Sequence, residues 1–269
     1  MGPLEVDTDE FEVGKVFTGP DSDELVLFYE HRRFILMMTK PETREDDHDH
    51  VVADLLQKIE EANDDPDPMT FVRCLEDVED LAISACKQTL ITLATSGQQP
   101  NSKQTSLSLE DFLYPPTFYL QLHSVKGTLQ AVRVEDVSEI ASMLDPVHLT
   151  VDLEPGSVPE LPSVEIEVME DLFMRQILKV KISTNGQVCV FKSATYGNED
   201  QLKREINVLR QISETWEPGD PSRLHVPRLL GLATSGGGGQ ILGILEEFVD
   251  GTNLYQFNID DAPSAQRQQ

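Results

Sequence analysis

Changes in the spacing of apolar positions divide this chain into elements. Residues 24–39, ELVLFYEHRRFILMMT, are two apolar runs split by Glu30-His31-Arg32-Arg33. That pattern predicts a hairpin with the charged group at or near its turn. Val51, Val52, Leu55, Leu56 and Ile59 recur at helical steps over 50–62, and the prolines of the following NDDPDP must end that helix. A longer helix is predicted from about 69 to 95, with Phe71, Leu75, Val78, Leu81, Ala82, Ala85, Leu90 and Leu93 on its apolar stripe. After a polar loop at 96–107, Pro115-Pro116 introduces FYLQLHS, and TLQAVRVEDV follows Lys126-Gly127. The alternation in both predicts paired strands.

Residues 154–163, EPGSVPELPS, hold three prolines and a glycine and are the strongest boundary signal in the chain. Beyond them the pattern sharpens. Ile177–Ile182 alternates apolar and charged residues, and Val188–Lys192 follows Thr184-Asn185-Gly186. Asn-Gly between alternating runs predicts a hairpin turn, because both residues tolerate positive φ. A helix should begin near Asn198, with Gln201 at the capping-box spacing and Leu202, Ile206, Leu209 and Ile212 or its neighbours facing inward. Two more strands, RLLGLAT and QILGILEEFV, flank a glycine-rich connector whose Gly236–Gly239 reads as a flexible hairpin tip. The fold class expected is α+β, with a mixed region of unassigned fold over 10–160, an antiparallel sheet with one helix over 164–251, and a polar tail at 252–269.

Charge narrows the partners. Of the formal net charge of −27, residues 1–160 carry 33 acidic against 11 basic side chains. So acidic a surface repels nucleic acid and anionic membrane, leaving protein as the expected class of macromolecular partner. The acidic N-terminus has no signal-peptide pattern, and no apolar stretch approaches the ~20 residues that span a bilayer. Cys74, Cys86 and Cys189 lie in apolar-patterned segments without metal-like spacing, as free thiols would in a reducing compartment. An intracellular location, cytoplasmic or nuclear, is the expectation. His48-Asp49-His50 beside Asp46 and Asp47 reads as a solvated acidic loop rather than a metal site, and His123, His148 and His225 stand apart from any nucleophile–acid arrangement.

The segments VCVFK (188–192), REINVL (204–209) and LEEFVDG (245–251), in that order, carry the remaining chemistry. Lys192 shares strand parity with Val188 and Val190, and an ammonium on that apolar face needs an anion near it. Glu205, on the edge of the helix's apolar stripe, is placed to supply one. The arrangement resembles the small, N-terminal lobe of protein kinases over about 90 residues. In that family a strand lysine binds the α- and β-phosphates of ATP and a helix glutamate holds the lysine; Lys192 and Glu205 match those positions. The resemblance further implies that the Glu247 and Val249 backbone meets an adenine ring, that Val190 faces it, and that Glu246 guards the back of the nucleotide pocket. The stretch YPPTFYLQL is similar to regions that precede kinase-like domains in filamentous fungi.

The sequence also departs from the family. No glycine occurs between Ser157 and Asn185, where a phosphate-covering Gly-rich loop should lie. An acid at 246 and a valine at 190 replace the usual pocket residues. The 18 residues after Gly251 contain neither a His-Arg-Asp catalytic loop nor an Asp-Phe-Gly magnesium-binding motif. The expectation is therefore a kinase-like small lobe that binds ATP weakly if at all, has no magnesium site in this chain and performs no phosphoryl transfer by itself. Three readings stay open: a fragment of a kinase-like enzyme whose partner is the missing large lobe, a non-catalytic interaction or scaffold module, and a nucleotide sensor.

Overall fold

The computed structural model describes residues 11–19, 22–40, 50–95, 107–135, 140–154, 156–215, 226–237 and 239–250, in two compact units, Met1–Pro146 and Val147–Gln269. The acidic loop at 41–49, His225 and the polar tail lie outside the described residues.

In the first unit β1 (Glu12–Thr18), β2 (Ser22–Tyr29) and β3 (Arg32–Thr39) form a meander. Two helices follow, α1 (Val51–Asn63) and α2 (Pro68–Thr95), then the short β4 (Leu107–Ser108) and α3 (Leu109–Leu113). The chain returns through β5 (Thr117–Val125), parallel to β3, and β6 (Thr128–Val134), before α4 (Ile140–Leu144). The sheet order is β1-β2-β3-β5-β6. Side chains alternate between its two faces. Leu25, Leu27, Phe34, Leu36, Leu120 and Leu122 pack with α1 and α2, while Val26, Phe28, Ile35, Met37 and Tyr119 form a second cluster with Ile140 and Leu144.

The predicted β2–β3 hairpin turns on Glu30-His31, both at positive φ (49° and 60°). Arg33 is not part of the turn. It is buried on β3, where its guanidinium donates to Thr117 Oγ1 and Asp145 Oδ1, each at 2.9 Å. Proline at the first position of α2 suits a helix start, since its missing N–H is not needed there. The stripe on α2 is rotated from the one expected: Leu81 is 44% exposed, and Ile83, Cys86 and Ala94 are buried instead.

In the second unit β7 (Glu160–Pro162) leads through a 3-10 turn at Ser163–Glu165 to β8 (Ile166–Phe173), β9 (Ile177–Ile182) and β10 (Val188–Ser193). Helix α5 (Glu199–Thr215) follows, then β11 (Leu229–Thr234) and β12 (Ile241–Glu247). The order β8-β9-β10-β12-β11 is antiparallel throughout. The expected antiparallel sheet also takes in β7, parallel to β11.

The division between units falls at Pro146–Val147, ahead of the proline-rich stretch that signalled a boundary. Backbone bonds explain why: Val147 N donates to the Ala194 carbonyl and Leu149 N to that of Ile241, while Leu149 and Val158 join a core with Ala194, Leu202, Ile206, Leu232 and Ile244. Val158 and the strand that holds Pro162 thus belong to a segment that packs on the second unit rather than a linker. No helix among the described residues is long and apolar enough to cross a membrane.

Two turns bear on the site. Only Gly186, not Asn185, takes positive φ (73°), and the β9–β10 connection is a longer loop in which Ile182 N bonds to the Gln187 carbonyl. The β8–β9 hairpin turns on Met174-Arg175 at φ 43° and 60°. Asp171 holds this tip by accepting from the amides of Phe173 and Arg175. Left-handed backbone at two side-chain-bearing residues costs about 1–2 kcal/mol each, which the Asp171 bonds help to offset.

Candidate functional site

Strand β10 alternates cleanly. Cys189, Phe191 and Ser193 are buried, whereas Val188, Val190 and Lys192 turn to the other, half-buried face. In the antiparallel register Lys192 pairs with Ile244 on β12 and Ile177 on β9, and Val190 pairs with Glu246 and Lys179. Directly paired residues project to the same face of a sheet. Lys192, Val190, Ile244 and Glu246 therefore share one face, and Ile244 belongs to the cluster with Leu202 and Ile206 of α5. The helix is anchored at its start: the Asn198 carbonyl accepts from Leu202 N, while its side chain accepts from Thr195 N and donates to the Ser193 carbonyl. Leu202, Ile206 and Leu209 bury its inner stripe, and Glu205 lies on the flank of that stripe.

This packing brings Glu205 Oε1 to 2.6 Å from Lys192 Nζ, the pair expected from sequence. It brings a second acid as well, with Glu246 Oε2 2.9 Å from the same nitrogen. Glu246 is the more deeply buried, its side chain 5% exposed against 31% for Glu205, and its Oε1 is buried with no hydrogen-bond partner among the described residues. From the sequence Glu246 is expected at the back of the nucleotide pocket, in place of the usual residue there, and not as a partner of Lys192. Local pattern carries no sign of this partnership, because it depends on β12 pairing beside β10 in a register that puts Glu246 on the lysine's face.

The electrostatics follow from two carboxylates sharing one ammonium. Burial works to lower the Lys192 pKa, but hydrogen bonds to Glu205 and Glu246 outweigh it, and the net shift is upward. Burial pushes the Glu246 carboxyl above the ordinary glutamate value; Lys192 opposes this and nearby Glu205 adds to it. A carboxyl with a raised native pKa favours the fold below the ordinary carboxylate range, and that contribution is lost as pH rises through the native value. Glu246→Gln, which keeps an acceptor for Lys192, should therefore melt higher than the parent above that range, with the gap closing in acid. Thermal unfolding from pH 4 to pH 8 checks this; parallel curves would show that Glu246 carries no such burden.

The other expected site residues are partly gathered. Val190 lies beside Lys192 as expected. Glu247 N donates to the Arg228 carbonyl, and its carboxylate makes a bidentate pair with the Arg228 guanidinium, both bonds 3.0 Å. Val249 lies just beyond β12 and is 62% exposed. Lys179, on the same face as Val190, stacks 4.5 Å from the Phe248 ring centroid and lies 3.9 Å from Glu170. All three cysteines are free thiols; Cys74 is half-buried, while Cys86 and Cys189 have the character of buried hydrophobes, and burial pushes Cys86 up to about 12 and Cys189 to about 11, far from the reactive thiolate. Among the described residues no group of three or more His, Cys, Asp or Glu side chains is arranged to hold a metal ion.

What this geometry can do is hold one cation between a helix and two strands, and present it on the face that carries Val190. No family model, no curated protein and no solved structure matches this chain.

Proposed function

We propose that the second unit is a protein kinase-like small lobe that carries a weak nucleotide site at Lys192 and acts as a non-catalytic module within this chain. The observation that carries this reading is the Lys192–Glu205 bridge of 2.6 Å, made by a helix inserted between the third and fourth strands of an antiparallel sheet ordered β8-β9-β10-β12-β11. That combination of topology and ion pair is what the resemblance of VCVFK, REINVL and LEEFVDG implies. On this reading Lys192 meets phosphate, Val190 the adenine face, and the backbone at Glu247 and Val249 the adenine edge. Motifs for a catalytic base and a magnesium ligand are not in this sequence, so phosphoryl transfer would depend on groups supplied from elsewhere. The tight Met174-Arg175 turn also lacks the glycine amides that wrap phosphates, in keeping with weak binding.

The test is a titration of the labelled full chain with millimolar ATP, followed by amide and methyl NMR. Shifts should concentrate at Val190, Lys192 and Val249 and vanish in Lys192→Met. No perturbation at these positions, or one unchanged in the variant, would overturn the nucleotide site.

A second reading, a protein-interaction module, is favoured by one feature. Leu172, Phe173 and Met174 at the β8–β9 tip are 42%, 54% and 70% exposed, an apolar cluster on a turn that hydrogen bonds hold in place. It predicts that Phe173→Ser and Met174→Ser weaken association with a partner protein while leaving ATP-induced shifts unchanged.

A further inference from the structure

The site holds one more acid than it needs. Glu205 alone would neutralise Lys192, as the resemblance expects. Glu246 adds a second carboxylate at 2.9 Å, and its other oxygen is buried without a hydrogen-bond partner among the described residues. Nothing else among its contacts repays the burial of that charge; its interaction with the ammonium is what compensates it. A phosphate group seeks the same ammonium. Two of the ammonium's three N–H donors are already taken, so an arriving phosphate either displaces Glu246 Oε2 or binds directly beside it. Two anions in a half-buried site repel strongly.

We infer that Glu246 is a built-in rival for Lys192, and that the site accepts a phosphate-bearing ligand readily only when Glu246 is neutral. The inference rests on the nucleotide site proposed above and adds its regulation. The charged groups facing Glu246 are Lys192 from β10 and Glu205 from α5. From β11, Leu229 lies opposite it in register. Lys179 of β9 is engaged by Glu170 and Phe248, and the adjacent Glu247 by Arg228. A single proton on Glu246 thus leaves Lys192 with one carboxylate and leaves the site as a whole neutral.

The experiment measures affinity for ATP and for inorganic tripolyphosphate by calorimetry on the full chain. The proteins are the parent, Glu246→Gln, Lys192→Met and the double variant, each first shown by circular dichroism to be folded. Glu246→Gln should bind both ligands at least about tenfold more tightly than the parent at neutral pH. The double variant should lose that gain. The parent's own affinity should rise as pH falls into the carboxylate range, an arm that needs no substitution to be tolerated. Equal affinity of parent and Glu246→Gln, with binding lost in Lys192→Met, would overturn the rivalry and leave the nucleotide site standing. No binding by any protein at any pH would overturn the nucleotide site and the rivalry with it. A gain in Glu246→Gln that survives in the double variant would assign it to general charge rather than to Lys192.

Discussion

Lys192→Met should destabilise the second unit by roughly 3 kcal/mol at neutral pH, the low end of what breaking a buried ion pair costs, because Lys192 and Glu205 keep about a third of their exposure. Methionine retains the apolar stem but removes the cation that Glu205 and Glu246 share. The two carboxylates then face each other, one of them almost wholly buried. Two further results separate this cause from lost packing. Adding Glu246→Gln should recover at least half of the loss, since it removes the buried orphan charge. The penalty should also shrink in acid, where Glu246, its carboxyl already raised by burial, takes up a proton. Because the chain has two units, the readout is hydrogen exchange at β10 and β12 amides rather than a single global transition. A change within about 0.5 kcal/mol, the scatter of ordinary surface substitutions, would mean that the triad is solvated and contributes little.

Gly243→Val should be at least as damaging. Gly243 sits on β12 opposite Ser193 on β10 and Ala233 on β11. A Cβ at this position would fall on the Lys192 carbonyl oxygen and within 2.7 Å of Phe191 Cε2. Phe191 is fully buried, so its ring cannot swing aside, and the carbonyl is backbone. Relief requires β12 to move away from β10, breaking the ladder that brings Glu246 to Lys192. Overpacking of this kind costs about 3 kcal/mol or more when backbone must shift. The matched control is Gly237→Ala in the β11–β12 connector, where an added Cβ meets nothing within 4 Å; it should stay within about 0.5 kcal/mol. Denaturant unfolding and exchange at β10 amides distinguish the two, and similar stability for both variants would contradict the close approach.

Local pattern fixes much of this protein. The 3.6-residue spacing of Val52, Leu55 and Ile59 predicts α1, and the prolines after it separate α1 from α2. Alternation over Ile177–Ile182 and Val188–Lys192 predicts β9 and β10, and strand parity sets Lys192 on the face that α5 covers. Glu205 is only 13 residues from Lys192, so helix phase and loop length bring the pair within reach of a sequence reading. These features are legible because each depends on neighbours within a few turns of chain.

Pairing between distant segments decided the rest. Strands β10 and β12 are joined in a register that no local pattern specifies, and that register turns Glu246 from an awkward pocket residue into a direct partner of Lys192. Helix α2 shows the same effect on a smaller scale: its period was legible, but the sheet beneath it chose Ile83 and Cys86 over Leu81. Residues 154–163 carry linker chemistry in sequence, yet the burial of Val158 and the β7–β11 ladder bind that stretch to the second unit. Sequence by itself determined the elements and the lysine–glutamate pair, because periodicity and short-range spacing are local physics. Tertiary structure alone decided strand register, the division between units and the third member of the charge cluster, because those follow from which distant surfaces bury one another.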